Sequence, residues 1–159
     1  MVEETGEKPV EEIIERELST GLIIAGAYAD KLRRTLFAHL KDYVKRDKEV
    51  AREIARAAGE INRMLYLILV ENLKSEKGDV VRVRVKYKFD PRVKRITWDY
   101  DTLTVEFFKR QPDEEVSRVV REVIAQKLKE ITELYATPQL AEKAEREFRE
   151  ELKRKEREA

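Results

Sequence analysis

Between Val80 and Asp90 the chain alternates charge and hydrocarbon without a break: Arg82, Arg84, Lys86 and Lys88 fall between Val81, Val83, Val85, Tyr87 and Phe89. Successive side chains of an extended chain point to opposite faces, so the four cations stand in one row, about 7 Å apart. Like charges crowded on a sheet repel, and Glu106 is the one acid that the following strands bring to the same face. A polyanion relieves that repulsion, and the spacing suits a phosphate backbone. Lys94 and Arg95 extend the basic character, and segment 79–96 holds seven bases against Asp79 and Asp90. Phe108 and Tyr100 lie near enough in sequence to offer flat faces to a nucleobase. Phe108 is the better placed, because alternation puts it on the outer face, whereas Trp98 and Phe107 read as core.

A blander reading fits the same residues. Charge alternating with hydrocarbon is what any solvated sheet face shows, and acids from either end of the chain can fold over it. Catalytic chemistry finds less support. His39 is the only histidine, lies mid-helix near Asp42, and has no Cys or Ser nucleophile pattern beside it; it reads as a structural residue. Asp99 and Asp101 resemble a carboxylate pair, but a turn around Tyr100 explains them. No phosphate-binding loop, dinucleotide fingerprint or zinc-protease motif occurs, and the absence of Cys removes disulfides and thiolate metal sites. The expectation is no enzyme, no cofactor and no metal.

The elements that must position the basic row follow from periodicity. Apolar residues at Ala25, Tyr28, Ala29, Leu32, Leu36, Leu40, Tyr43 and Val44 predict a helix from about Leu22 to Arg46, with Ser19 or Thr20 as its cap. A second helix, capped by Asp47, is expected over 48–74 on Val50, Ile54, Ala57, Ile61, Met64 or Leu65, and Ile68. Small residues around Gly59 and Ala25 suggest that the two helices pack closely and antiparallel. After Gly78 the period changes to two, which predicts strands at 80–90, 93–99 and 103–110. Turns at Asp90-Pro91-Arg92 and Tyr100-Asp101-Thr102 would join them as a three-stranded meander. Pro112, followed by Asp113, Glu114 and Glu115, opens a further helix to about Tyr135. Thr137-Pro138 opens the last one, whose apolar content is thin: Leu140, Ala141, Ala144, Phe148 and Leu152. Such a helix has too little to bury by itself, and docks on a neighbour or on a second copy.

The expected fold is therefore α+β, a small antiparallel β-meander packed against long α-helices, with a C-terminal helical extension. Three parts are expected: an acidic, partly disordered segment 1–17, an α+β nucleic-acid-binding domain 18–136, and a charged helix 137–159 serving oligomerisation. Segment 1–17 carries seven Glu against Lys8 and Arg16, with Ile13, Ile14 and Leu18 placed to dock as a short helix. The 159 residues hold 42% charged side chains yet a net charge of only +1, so the location of each sign matters more than the total. Three Gln, two Asn and no Cys beside abundant Glu, Lys and Arg follow the hyperthermophile trend. No apolar run approaches the ~20 residues that span a bilayer, and the acidic start is unlike a signal peptide. A cytoplasmic location and no membrane partner are expected.

The stretch Ser19-Thr-Gly-Leu-Ile-Ile-Ala-Gly-Ala-Tyr-Ala-Asp-Lys-Leu-Arg-Arg-Thr-Leu-Phe-Ala38 resembles the opening of the archaeal ThermoDBP-related proteins. The resemblance implies binding of single-stranded DNA or RNA without catalysis, and assembly into a dimer or tetramer through the C-terminal helices. It supplies no site residues. The candidate contacts, Arg82, Arg84, Lys86, Lys88, Lys94, Arg95, Tyr100 and Phe108, rest on patterning alone. The final helix departs from the family's zipper-like pattern in being poor in Leu. The alternative is a structural or adaptor protein acting through helical oligomerisation.

Overall fold

A computed structural model describes residues 12–158. Most of the acidic segment expected to be disordered, residues 1–11, lies outside the described residues. The chain divides into two compact units, the first ending at Arg110 and the second beginning at Gln111. Together they make an α+β protein with an antiparallel four-stranded sheet and, among the described residues, five α-helices.

The first unit runs β1 (Ile14–Ser19), β2 (Ile23–Ile24), α1 (Tyr28–His39), α2 (Lys41–Arg46), α3 (Glu49–Tyr66), β3 (Val80–Asp90) and β4 (Arg95–Phe108). The basic strand β3 is central. Antiparallel β1 and β2 pair end to end along one of its edges, and β4 pairs along the other. Its inward residues Val81, Val83, Val85, Tyr87 and Phe89 are all buried, with Leu18 from β1 and Ile96 and Trp98 from β4. Against them pack Leu32 and Leu36 of α1 and Val50, Ile54, Ala57, Ile61 and Leu65 of α3. Tyr87 meets Trp98 edge to face at 5.5 Å, and Trp98 Nε1 donates to the Ala57 carbonyl at 2.8 Å, which fixes sheet to helix. All helices of this unit therefore cover one side of the sheet.

Several elements differ from the sequence expectation. Residues 13–18 do not form a short helix; Ile14–Ser19 is a strand, because Ile14 and Leu18 match the inward phase of β3 opposite Phe89 and Val85. The first helix starts at Tyr28, not Leu22. Thr20 pairs with Val83 through both its amide and its hydroxyl, Gly21 takes a left-handed turn (φ +66°), and the β-branched Ile23 and Ile24 join the sheet. Ser19 and Thr20 are thus sheet residues and not helix caps. The helix breaks at Leu40, and α3 ends in one wide π turn over Leu67–Asn72. Asp47 does cap α3, its carboxylate accepting from the Glu49 amide at 2.9 Å. The strands expected at 93–99 and 103–110 are one strand, β4. In place of the expected turn at Tyr100-Asp101-Thr102 there is an irregularity in which Thr102 Oγ1 accepts from the Lys86 amide at 2.8 Å.

Helices α1 and α3 run antiparallel, since Asn62 near the end of α3 donates to the Ala29 carbonyl at the start of α1. Gly59 is not part of a close approach: a Cβ built there meets nothing within 4 Å. Gly59→Ala should therefore stabilise the protein by about 1 kcal/mol through helix propensity alone, read as a higher midpoint in urea.

The second unit is a pair of helices, α4 (Asp113–Leu134) and α5 (Pro138–Glu158). Thr137 caps α5, its hydroxyl accepting from the Leu140 amide at 3.2 Å. Tyr135 donates to Glu145 at 2.6 Å between the helices. Among the described residues of this unit only Ala144 is buried.

Candidate nucleic-acid interface

Because the helices of the first unit occupy one side of the sheet, the other side carries the polar phase of each strand. The register sets the outward residues in rows that cross β3. At one end lies an uncharged row, Ile24, Val80 and Phe108, with Ile24 52% and Phe108 49% exposed. Next come Arg82 beside Glu106, then Arg84 between Ser19 and Thr104. Lys86 follows between Glu17 and Asp99, and Lys88 between Glu15 and Thr97. Arg82, Arg84, Lys86 and Lys88 thus share one face, and Phe108 lies at its end.

The balance on that face is more even than alternation in β3 alone suggests. Glu106 lies 3.2 Å from Arg82 and 3.8 Å from Arg84, and Glu15 lies 3.3 Å from Lys88. Glu17 and Asp99 flank Lys86 in register, yet no ion pair joins Lys86 to a carboxylate among the described residues. The expectation that Glu106 is the one local counter-charge is therefore overturned. The blander reading, in which acids from an end of the chain neutralise the strand, holds for Glu15 at Lys88. The placement of Glu15 and Glu17 on a paired strand is what sequence reasoning misses, because it takes that segment for a helix. Their signal is present in Ile14-Glu-Arg-Glu-Leu18, which keeps a period of two. Arg82 is half-buried, but Glu106, Glu15, Arg84 and Lys88 are exposed, and exposed pairs contribute about 0–1 kcal/mol each, so incoming phosphates can exchange for the carboxylates.

Three other candidates face the helices. Lys94, left-handed at φ +54° in the turn after β3, pairs with Asp47 at 2.5 Å, and this contact raises its pKa. The Arg95 guanidinium lies 4.0 Å from Glu53 of α3. Tyr100 donates to Glu60 of α3 at 2.6 Å; burial and that carboxylate both push its pKa up. Tyr100 is thereby committed to the helix side and offers no stacking face beside the cation row. His39 sits within hydrogen-bond distance of the buried Tyr87 hydroxyl, with Nδ1 to Oη 2.9 Å. Burial, and then the nearby Arg16, hold its pKa below the ordinary value.

The family model described as ThermoDBP-related, archaea, matches residues 18–96, which hold β2, the three helices of the first unit and β3. Among solved structures, pfuThermo-DBP-RP1 is 29% identical, with 90% of this chain and 94% of that chain covered and a TM-score of 0.52. The chain belongs to the archaeal ThermoDBP-related family. A second family structure, apeThermo-DBP-RP2 bound to ssDNA dT10, is 40% identical over 76% of this chain, with a TM-score of 0.63. This ThermoDBP-related chain spans 54% of the length of that relative. None of the curated proteins matches it. In this family member no helix among the described residues is long and apolar enough to cross a membrane. Nor, among those residues, do three His, Cys, Asp or Glu side chains cluster so as to hold a metal ion.

Proposed function

We propose that the protein binds single-stranded nucleic acid, without catalysis, on the outer face of its sheet. The observation that carries this reading is the row of half-buried Arg82 and exposed Arg84, Lys86 and Lys88, which ends at the apolar row Ile24, Val80 and Phe108. Cations at strand spacing suit the backbone, and an exposed aromatic beside them suits a base; such stacking contributes about 1–3 kcal/mol per base. Contacts of both kinds are indifferent to base identity, so sequence specificity is weak. The crystal structure of the 40% identical relative with ssDNA dT10 supports single-stranded DNA as the first ligand to test. Single-stranded RNA offers the same backbone charge and the same flat bases.

Fluorescence anisotropy with labelled dT and rU oligomers over a salt series tests the reading. Affinity should fall steeply with salt. Replacing Arg82, Arg84 and Lys86 with Ala should flatten the log–log slope by about two, at roughly 0.7 per lost phosphate contact. Absence of binding at low salt ends the proposal.

We propose further that the protein self-associates through α4 and α5. Val116, Val119, Val120, Val123, Ile124, Leu128, Ile131 and Leu134 recur at three- and four-residue spacing along α4, and each is at least 43% exposed. Phe148 and Leu152 add to this on α5, both also exposed. A second copy of the chain fits this stripe, because residues 137–159 carry seven acids and seven bases and so do not repel their own kind. The same stripe favours the adaptor reading, in which protein contacts are the whole function. A chain that assembles through α4 and α5 but ignores oligonucleotides supports that alternative.

A further inference from the structure

The polyanion-binding reading leaves an oddity: the strand beside the basic row is acidic. Strand β1 contributes Glu15 opposite Lys88 and Glu17 opposite Lys86, on the same outward face. The two acids are exposed, as are both lysines. Glu15 reaches Lys88 at 3.3 Å, an ion pair between side chains 70% and 61% exposed. Glu17 is in register with Lys86 but, among the described residues, in no ion pair. Fold maintenance does not call for these charges. Leu18 supplies the buried contact of β1, and the ladder with β3 supplies its hydrogen bonds. Nor do they resemble Glu106, which bridges the two arginines from β4 and holds both in place.

Resting on that reading, we propose that Glu15 and Glu17 act as built-in competitors of the phosphate backbone at Lys86 and Lys88. Glu15 holds the position at Lys88 that a phosphate must take over, and Glu17 sets a negative charge opposite Lys86, so the two weaken and shorten the bound footprint at the β1 side of the sheet. The cation row then has two parts. Arg82 and Arg84, beside the apolar row, face Ser19 and Thr104 besides Glu106, and form the tight end. Lys88, paired with Glu15, and Lys86, in register with Glu17 but unpaired among the described residues, form a restrained end, where a phosphate must displace one carboxylate and approach another. Displaced carboxylates take up cations from solution, which offsets part of the counterion release from the nucleic acid. The salt dependence of the natural chain is accordingly shallower than four cations imply.

The test compares the full chain with a Glu15→Gln, Glu17→Gln variant in anisotropy titrations with labelled dT10 over a salt series. Glutamine keeps the shape and the solvent contact of each side chain, and a thermal melt of the variant checks that the fold is retained. The variant should bind about tenfold tighter near 0.1 M salt, from two surface interactions of ordinary size. Its log–log salt slope should steepen by about one. A control variant, Glu49→Gln with Glu71→Gln, makes the same charge change at exposed helix positions outside the sheet. Equal tightening in the control assigns the effect to net charge and overturns the proposal. An unchanged affinity and slope in the β1 variant also overturns it, while the binding reading stands. Should the double variant fail to fold, Glu17→Gln alone takes its place and should bind about threefold tighter, with unchanged affinity again overturning the proposal. If the unsubstituted chain binds no oligonucleotide, it is the binding reading that fails.

Discussion

On the proposed self-association through α4 and α5, replacing Ile124 and Leu128 with Lys is expected to leave the protein a monomer, without disturbing the sheet unit. Both residues lie on the α4 stripe, 45% and 57% exposed. An exposed apolar surface of this length on a two-helix unit supports the proposed association. Burying a Leu or Ile side chain contributes about 1.5–3 kcal/mol, and a symmetric pair buries each position twice. Losing both sites in both copies removes roughly 8 kcal/mol, enough to shift a nanomolar association to the millimolar range. Sedimentation velocity at micromolar concentration should show the mass of one chain. Trp98, the only tryptophan, is buried against α3, so its unchanged emission reports that the sheet unit is intact. Far-ultraviolet circular dichroism should lose helix, because two long helices that bury only Ala144 have little else to hold them. A variant that keeps the oligomeric mass removes the stripe from the interface. Monomerisation should also weaken binding of long oligonucleotides far more than short ones. Two linked sheet faces gain 10²–10⁴-fold from effective concentration, on the order expected for paired modules, whereas a ten-nucleotide strand engages one.

How far the fold is legible depends on whether periodicity and competition agree. Strand β3 is fully readable because its alternation is unbroken over nine residues and nothing in it favours helix. Helix α3 and the Pro112 helix start are readable for the same reason, a clean 3.6-residue pattern beside a local stop or start signal. The failures lie where an apolar run fits two periods. Leu22-Ile-Ile-Ala-Gly-Ala-Tyr-Ala29 is apolar throughout, so periodicity does not tell strand from helix there. The left-handed turn at Gly21 and the pairing of Thr20 with Val83 decide it, and neither is a property of the local sequence. In segment 12–18 the acidic composition masks the alternation that makes it β1.

The site is legible in part for a related reason. A single strand shows which of its residues share a face, but not which strands lie beside it. The cation row and Phe108 come from alternation within β3 and β4, and they share the outer face. The neutralising acids Glu15 and Glu17 depend on pairing across about seventy residues of chain, from β1 to β3. Lys94, Arg95 and Tyr100 join the candidates only by closeness in sequence. Their partners Asp47, Glu53 and Glu60 are spaced along the helix layer, and an attractive partner there draws each of them off the outer face.

Asp79 shows how strongly the apolar end of that face depends on a residue that no motif singles out, and its replacement by Asn should destabilise the sheet unit. The carboxylate is buried and accepts three hydrogen bonds: from the Glu76 amide at 2.7 Å, the Arg110 amide at 2.8 Å and Lys109 Nζ at 3.0 Å. Its own carbonyl accepts from the Ala25 amide at 2.7 Å. One residue thus pins the chain just after Ile24, just before Val80 and just after Phe108, the three members of the uncharged row. Asparagine turns an amide group toward a backbone N–H, so one donor loses its acceptor and another is opposed. Asp79→Asn should lower Tm by on the order of 5–10 °C and weaken oligonucleotide binding at high salt, where base contacts dominate. The pH dependence separates this cause from a general packing defect. The Arg110 and Glu76 amides, opposed by burial and helped by Lys109, hold the carboxyl pKa down at about 2, against an ordinary 3.8. A depressed folded-state pKa means that the unfolded chain takes up the proton first. The stabilisation is complete above pH 4 and is lost as pH falls from there toward 2. The Tm difference between the natural chain and Asp79→Asn should accordingly narrow across that window. A difference that stays constant from pH 5 to pH 2 would show that the charge on Asp79 contributes nothing, and that the asparagine acts by shape alone.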